Sequence, residues 1–181
     1  VISASEQHRR ALAAATARYF IMTEPLSPHR GPAATLVDAM GGPAAVVALA
    51  HAWHARCLAD PILAHAFHGG IHPQHAERLA AYWCEQLGGP PGYTELAGGH
   101  ADVVRMHSGN GPHEQMDGRG VAAFAAALDD VGIPTDPALR FELIAWFTWA
   151  TALLNHRWSD PSEVPASLPM PRWDWGGTDG W

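Results

Sequence analysis

The sequence predicts an all-α fold. Apolar residues recur at helical spacing in each long segment, and proline and glycine punctuate the chain where helices would start and stop. No stretch alternates apolar and polar residues long enough to make a strand.

Residues 4–22 are alanine-rich and favour helix, and Pro25, Pro28 and Pro32 then interrupt the chain. This reads as an N-terminal arm over residues 1–35, ahead of a main domain over 36–158. Residues 34–40 make a short helical turn that stops at Gly41-Gly42. Pro43 then opens a helix over 43–58, at a position where its missing N–H costs nothing. Val46, Val47, Leu49, Ala50, Trp53 and Cys57 share helical spacing there. Asp60 is placed to cap a brief helical segment over 61–67.

Gly69-Gly70 breaks the chain, and Pro73 opens a helix over 73–87 with His75, Leu79, Tyr82 and Trp83 on one face. GGPPGY (88–93) reads as a loop, and 100–107 as a short helix stopped by SGNGP. A helix over 113–131 carries Met116, Val121, Phe124, Leu128 and Val131 inward. Asp136-Pro137 then caps and opens the last helix, 137–157. The tail, 159–181, is rich in Pro, Gly and Trp and is expected to be irregular.

The chain has 181 residues, 48% apolar and 16% charged, which is enough for one domain with a substantial core. Its formal charge is −7, with no basic stripe, which argues against nucleic acid as a partner. No apolar run reaches the roughly 20 residues of a membrane span, and no secretory signal is seen at the N-terminus. The two cysteines, Cys57 and Cys84, make neither a CxxC pair nor a disulfide framework, so a reducing, cytoplasmic setting is expected.

Twelve histidines and eight tryptophans stand out. His107 ends a short helix just before a glycine-rich break. That suits either a C-terminal cap or a metal ligand from which the chain must turn away quickly. His54 and His75 lie on or beside the apolar faces of two helices, as hydrogen-bonded boundary residues or as donors lining a cavity. His65, His68, His72 and His75 have metal-like spacing, but Gly69-Gly70 and Pro73 interrupt any single helix through them, and no Cys or acid joins them. Dinucleotide, P-loop, zincin and serine-hydrolase motifs are absent.

In combination, DAMGG (38–42), HAWHARCLADPILAHAF (51–67), HAERLAAYWCEQLGGPPGY (75–93) and RMHSGNGP (105–112) resemble the truncated haemoglobins, most of all actinobacterial group II members, over about residues 36–157. The resemblance implies a globin-like two-over-two helical sandwich around haem b, with His107 as the proximal iron ligand. It matches Phe67, Tyr82 and Trp83 to aromatic side chains that pack on or beside the haem. His75 and Leu79 fall at the two distal-helix positions that face a bound gas, and His54 at a distal position where the family usually has Tyr. Arg78, Tyr93 and Arg105 fall where propionates are often held. Group II members usually carry Trp near the start of the helix after the proximal histidine, whereas here that position is about Gly120, with Val121 and Phe124 nearby.

The implied function is binding of dioxygen, nitric oxide, carbon monoxide or peroxide, with nitric oxide dioxygenation or peroxide reduction as the redox chemistries. His54 and His75 would then be the acid–base pair, and His75 a candidate sixth iron ligand. A flavin or nicotinamide motif is absent, so any reductase would be a separate partner, and a homodimer is compatible with the family. The alternatives are a gas sensor or carrier without turnover, and a helical module that binds another apolar ligand without haem.

Overall fold

The computed structural model describes residues 34–111 and 113–178, so the N-terminal arm through residue 33 and Trp181 lie outside the described residues. Seven α-helices are described: α1 (Leu36–Met40), α2 (Pro43–Ala59), α3 (His75–Gln86), α4 (Gly92–Leu96), α5 (His100–His107), α6 (Glu114–Asp130) and α7 (Pro137–His156). Short 3₁₀ turns cover Ala64–Phe67 and Pro161–Glu163. A hairpin pairs β1 (Trp173–Asp174) with β2 (Gly177–Thr178) antiparallel, Trp173 opposite Thr178.

The local signals act where the sequence places them. The Thr35 hydroxyl accepts the Asp38 N–H at 3.1 Å and caps α1, which ends on Gly41 at φ 109°, a conformation that favours glycine. Asp60 accepts the N–H groups of Ile62 and Leu63 at 2.8 and 3.2 Å. Asp136 accepts that of Leu139 at 2.9 Å, with Pro137 opening α7.

Two layers form. α2 packs on α3 and on α6, and α6 packs on α7, giving two pairs of helices laid face to face. The core between them holds Val46, Leu49, Trp83, Phe124, Leu128, Leu143, Trp146 and Phe147. Trp83 of α3 meets four aromatic rings edge-on: Trp53 at 5.5 Å, Phe124 at 5.6 Å, Trp146 at 5.8 Å and Phe147 at 5.6 Å. Edge-to-face pairs add roughly 0.5–1.5 kcal/mol each beyond burial.

Two expectations need correction. The segment read as a loop through Tyr93 turns helical at Gly92. Buried Glu85 causes this, because its carboxylate accepts both the Thr94 N–H at 2.9 Å and the Thr94 hydroxyl at 2.6 Å, tying α4 to α3. The tail is mostly irregular, as its composition implies, but it is docked and carries the hairpin. Val164 buries against Ala101 and Val104 of α5, and Trp173 and Trp175 pack on the main core. Among the described residues, no helix is long and apolar enough to cross a membrane.

One histidine outside the expected set is structural. His100, at the start of α5, is fully buried and hydrogen-bonded through Nδ1 to the Tyr82 hydroxyl at 2.7 Å. Burial depresses its pKa from 6.5 to about 4. The unfolded chain therefore takes up a proton near the ordinary value, while the folded chain resists it until much lower pH. Stability contributed by neutral His100 is complete above pH 6.5 and is lost as pH falls toward 4, a loss of about 3 kcal/mol. Urea unfolding across that window should show His100→Asn losing less stability on acidification than the parent chain. Parallel slopes would show that His100 does not drive the acid sensitivity.

Candidate functional site

Three imidazoles from three elements converge on one region. α2 supplies His54 and α3 supplies His75, their ring centroids 4.8 Å apart. The 3₁₀ turn after Asp60 brings Phe67 against both, at 5.1 Å from His54 and 5.5 Å from His75. His107 of α5 lies near enough to His75 to disfavour its protonation. The turn at Asp60 matters here, because Asp60 also holds Arg119 of α6 at 2.6 Å and so fixes the approach of Phe67.

Each imidazole is shifted toward its neutral form. Burial depresses the pKa of His75 first, and neighbouring His54, His107, His72 and Arg78 add to it. Burial lowers that of His54, with His51 assisting. Burial also lowers that of His107, against a backbone hydrogen bond to Val103 that raises it. A neutral imidazole offers one bare ring nitrogen, which is the form that ligates a metal.

The hydrogen-bond pattern indicates which nitrogen that is. His107 Nδ1 lies 2.8 Å from the Val103 carbonyl, to which only an N–H can donate, so Nε2 carries the lone pair. The carbonyl also fixes the ring's orientation, as carbonyls commonly do for ligating histidines. His54 Nε2 is buried with no hydrogen-bond partner among the described residues. A buried polar nitrogen left in this state is costly unless something occupies the space beside it.

α5 has only eight residues, too short to be stable alone, and its hold comes from the tail. Arg105 donates to Asp102 at 2.9 Å and to the Pro165 carbonyl at 3.1 Å. Gly109, at φ 80°, lets Pro161 approach so closely that an added Cβ would lie 2.8 Å from its Cδ.

The other expected residues divide into three groups. Half-buried Leu79 packs on the core one helical turn beyond His75, toward Trp83. Arg78 donates to the Ala97 carbonyl at 2.9 Å and lies over the Tyr93 ring at 5.9 Å, so these two share one corner. Tyr82 is buried against Tyr93 and His100, while Trp83 lies in the main core. Arg105 is engaged by Asp102 and the tail rather than by the histidine group. The spaced histidines 65, 68 and 72 form no metal cluster with His75. Among the described residues, no three His, Cys, Asp or Glu side chains are arranged to hold a metal ion by themselves.

One contact at the edge of the site was not expected. The Trp53 indole N–H donates to the Gly120 carbonyl at 3.1 Å, bridging α2 to the glycine on α6. Trp53→Phe should cost about 1 kcal/mol in urea unfolding, because the freed carbonyl loses its donor. No loss would mean that water or backbone movement replaces the bond at no cost.

Residues 35–149 match the bacterial-like globin family. Three solved structures are similar in fold. The haemoglobin of the thermophilic phototrophic bacterium Chloroflexus aurantiacus is 25% identical, with TM-score 0.59, over 69% of this chain and 100% of its own. A thermostable haemoglobin from the actinobacterium Thermobifida fusca is 26% identical, with TM-score 0.57, over 68% and 98%. The group II truncated haemoglobin of Bacillus anthracis is 19% identical, with TM-score 0.60, over 74% and 100%. No curated protein matches the chain.

Proposed function

This chain belongs to the bacterial-like globin family and has the truncated two-on-two fold, and on that premise we propose that His107 would hold haem b and that His54 and His75 would meet the diatomic ligands or peroxide it takes. The observation that carries this reading is the donor set. His107 Nδ1 is engaged by the Val103 carbonyl, which leaves Nε2 as a lone-pair donor, and His107 lies near His75, which burial holds toward its neutral form. The orphaned His54 Nε2 supports the same reading, since it is buried with nothing to bond.

When bound, haem supplies an iron centre that accepts small ligands and exchanges electrons with them. The rest of the chemistry belongs to the chain. His107 is held rigidly by its carbonyl partner, and the partial charge of that carbonyl raises its basicity as a ligand. His54 and His75 can each present an N–H to a ligand that develops negative charge. A neutral imidazole could also take up a proton from a ligand and return it, which is what acid–base assistance to peroxide chemistry would require. Phe67 packs on both distal rings and restricts their rotation. Tyr82 and Trp83 support the pocket side of α3, and Arg78 with Tyr93 forms the corner suited to an acidic edge of the haem. Arg105 acts on the site through the tail, by holding α5 in place.

The test begins with the absorption spectrum, ferric and dithionite-reduced, before and after carbon monoxide. A Soret band that shifts with carbon monoxide is expected. His107→Ala should lose the haem or hold it loosely, and full retention with an unchanged spectrum would defeat the assignment of His107. His75→Leu should speed oxygen dissociation, or convert a six-coordinate reduced spectrum to a five-coordinate one. If neither changes, His75 points away from the ligand.

A further inference from the structure

The tail places a tryptophan beside a carboxylate, and the proposed function makes no use of the pair. Trp173, half-buried on the hairpin, donates its indole N–H to Glu142 Oε2 of α7 at 2.9 Å. Its ring lies 5.4 Å from that of Trp149, also on α7. Trp149 is three residues beyond Trp146, a spacing that makes them neighbours on a helix face. Trp146 meets Trp83 at 5.8 Å, and Trp83 meets Trp53 at 5.5 Å. Trp53 stands next in sequence to His54 of the histidine group. Five indoles thus form a series from the pocket to the surface.

The surroundings of their nitrogens differ. An indole that loses an electron becomes a strong acid at nitrogen, and its radical is stable only if that proton has somewhere to go. Trp53 faces the Gly120 carbonyl, which cannot take a proton at ordinary pH. Trp146 Nε1 is buried with no acceptor among the described residues. Trp173 faces a carboxylate.

We propose that Trp173, with Glu142 as its proton acceptor, is a surface oxidation site fed from the pocket through Trp53, Trp83, Trp146 and Trp149, and that it oxidises phenol-class reductants that cannot enter the pocket. This inference rests on the haem reading above. Hydrogen peroxide at the pocket takes up two electrons and two protons and leaves as two waters. Each electron comes from Trp173 in turn, whose Nε1 proton passes to Glu142, leaving a neutral indolyl radical and a carboxylic acid. A phenol at the surface gives the radical a hydrogen atom, restoring Trp173 and leaving a phenoxyl radical. Glu142 releases its proton to solvent, matching one of those consumed with the peroxide. Two phenols are oxidised for each peroxide. Burial and the nearby Asp174 raise the Glu142 pKa against the hydrogen bond from Trp173, which makes the carboxylate a better base.

The experiment loads the full chain with haem, verifies the Soret band, and mixes it with hydrogen peroxide. Rapid freeze-quenching for electron paramagnetic resonance and peptide mass spectrometry follow. A neutral indolyl radical and oxygenated Trp173 are expected. Trp173→Phe should abolish that signal and cut phenol oxidation severalfold while leaving the Soret band intact. Glu142→Gln, which keeps an acceptor oxygen but takes no proton, should cut Trp173 oxidation severalfold. Haem binding without a Trp173-centred radical overturns this inference alone. Oxidation at Trp173 that is unchanged in Glu142→Gln overturns the proton-acceptor role. Absence of a Soret band after hemin addition overturns the haem reading, and this inference with it.

Discussion

Trp83 is the point on which all four long helices meet. Its ring is contacted edge-on by Trp53 from α2, Phe124 from α6, and Trp146 and Phe147 from α7, and it is itself part of α3. Such contacts are directional, so the indole both buries area and sets the relative rotation of the two layers. His75 and Leu79 lie on the same face of α3, two turns and one turn before it. The angle at which α3 meets its neighbours therefore decides where those side chains point. The site inherits its geometry from the core.

The opposite wall is built differently. α5 is short, and much of what holds it comes from the tail: Val164 against Ala101 and Val104, Pro161 against Gly109, and the Pro165 carbonyl on Arg105. At its start, His100 anchors it to Tyr82 of α3. The helix that carries His107 is thus held at its start by α3 and at its end by the tail. The tail, which composition alone would dismiss as a loose extension, is part of the scaffold that positions His107.

The helices were legible because their apolar residues follow the 3.6 period and their ends carry Gly41-Gly42, Pro43, Asp60 and Asp136-Pro137. The convergence of His54, Phe67 and His75 was legible only through resemblance, since no local pattern says that two helices and a turn will meet. What escaped was tertiary. α4 follows a Pro-Pro-Gly run that reads as a turn, and it becomes helical because Glu85 holds Thr94. The hairpin has two-residue strands, too short for any alternation to register, and it exists because Trp173 and Trp175 have a core to pack against. Arg105 sits where a propionate partner was expected, but Asp102 and a tail carbonyl lie closer to hand. His100, following two glycines, looks like a solvated helix start until Tyr82 is placed above it.

The exchange at Gly120 bears on how the pocket treats a ligand. Where the resembling family usually carries a tryptophan, this chain has glycine, and an indole arrives instead from α2. Trp53 does not replace the missing donor, because its single N–H is already committed to the Gly120 carbonyl. An indole has one donor and no acceptor, so that commitment removes it from any ligand. Under the proposed function, hydrogen-bonding capacity toward a ligand then rests on His54 and His75, and imidazoles differ from an indole in being able to accept a proton as well as donate one. Under the proposed function, glycine in place of that tryptophan, with histidines at the distal positions, changes the kind of chemistry available and not only its strength. A pocket lined by an indole can stabilise a ligand, whereas one lined by two neutral imidazoles can also carry protons to and from it.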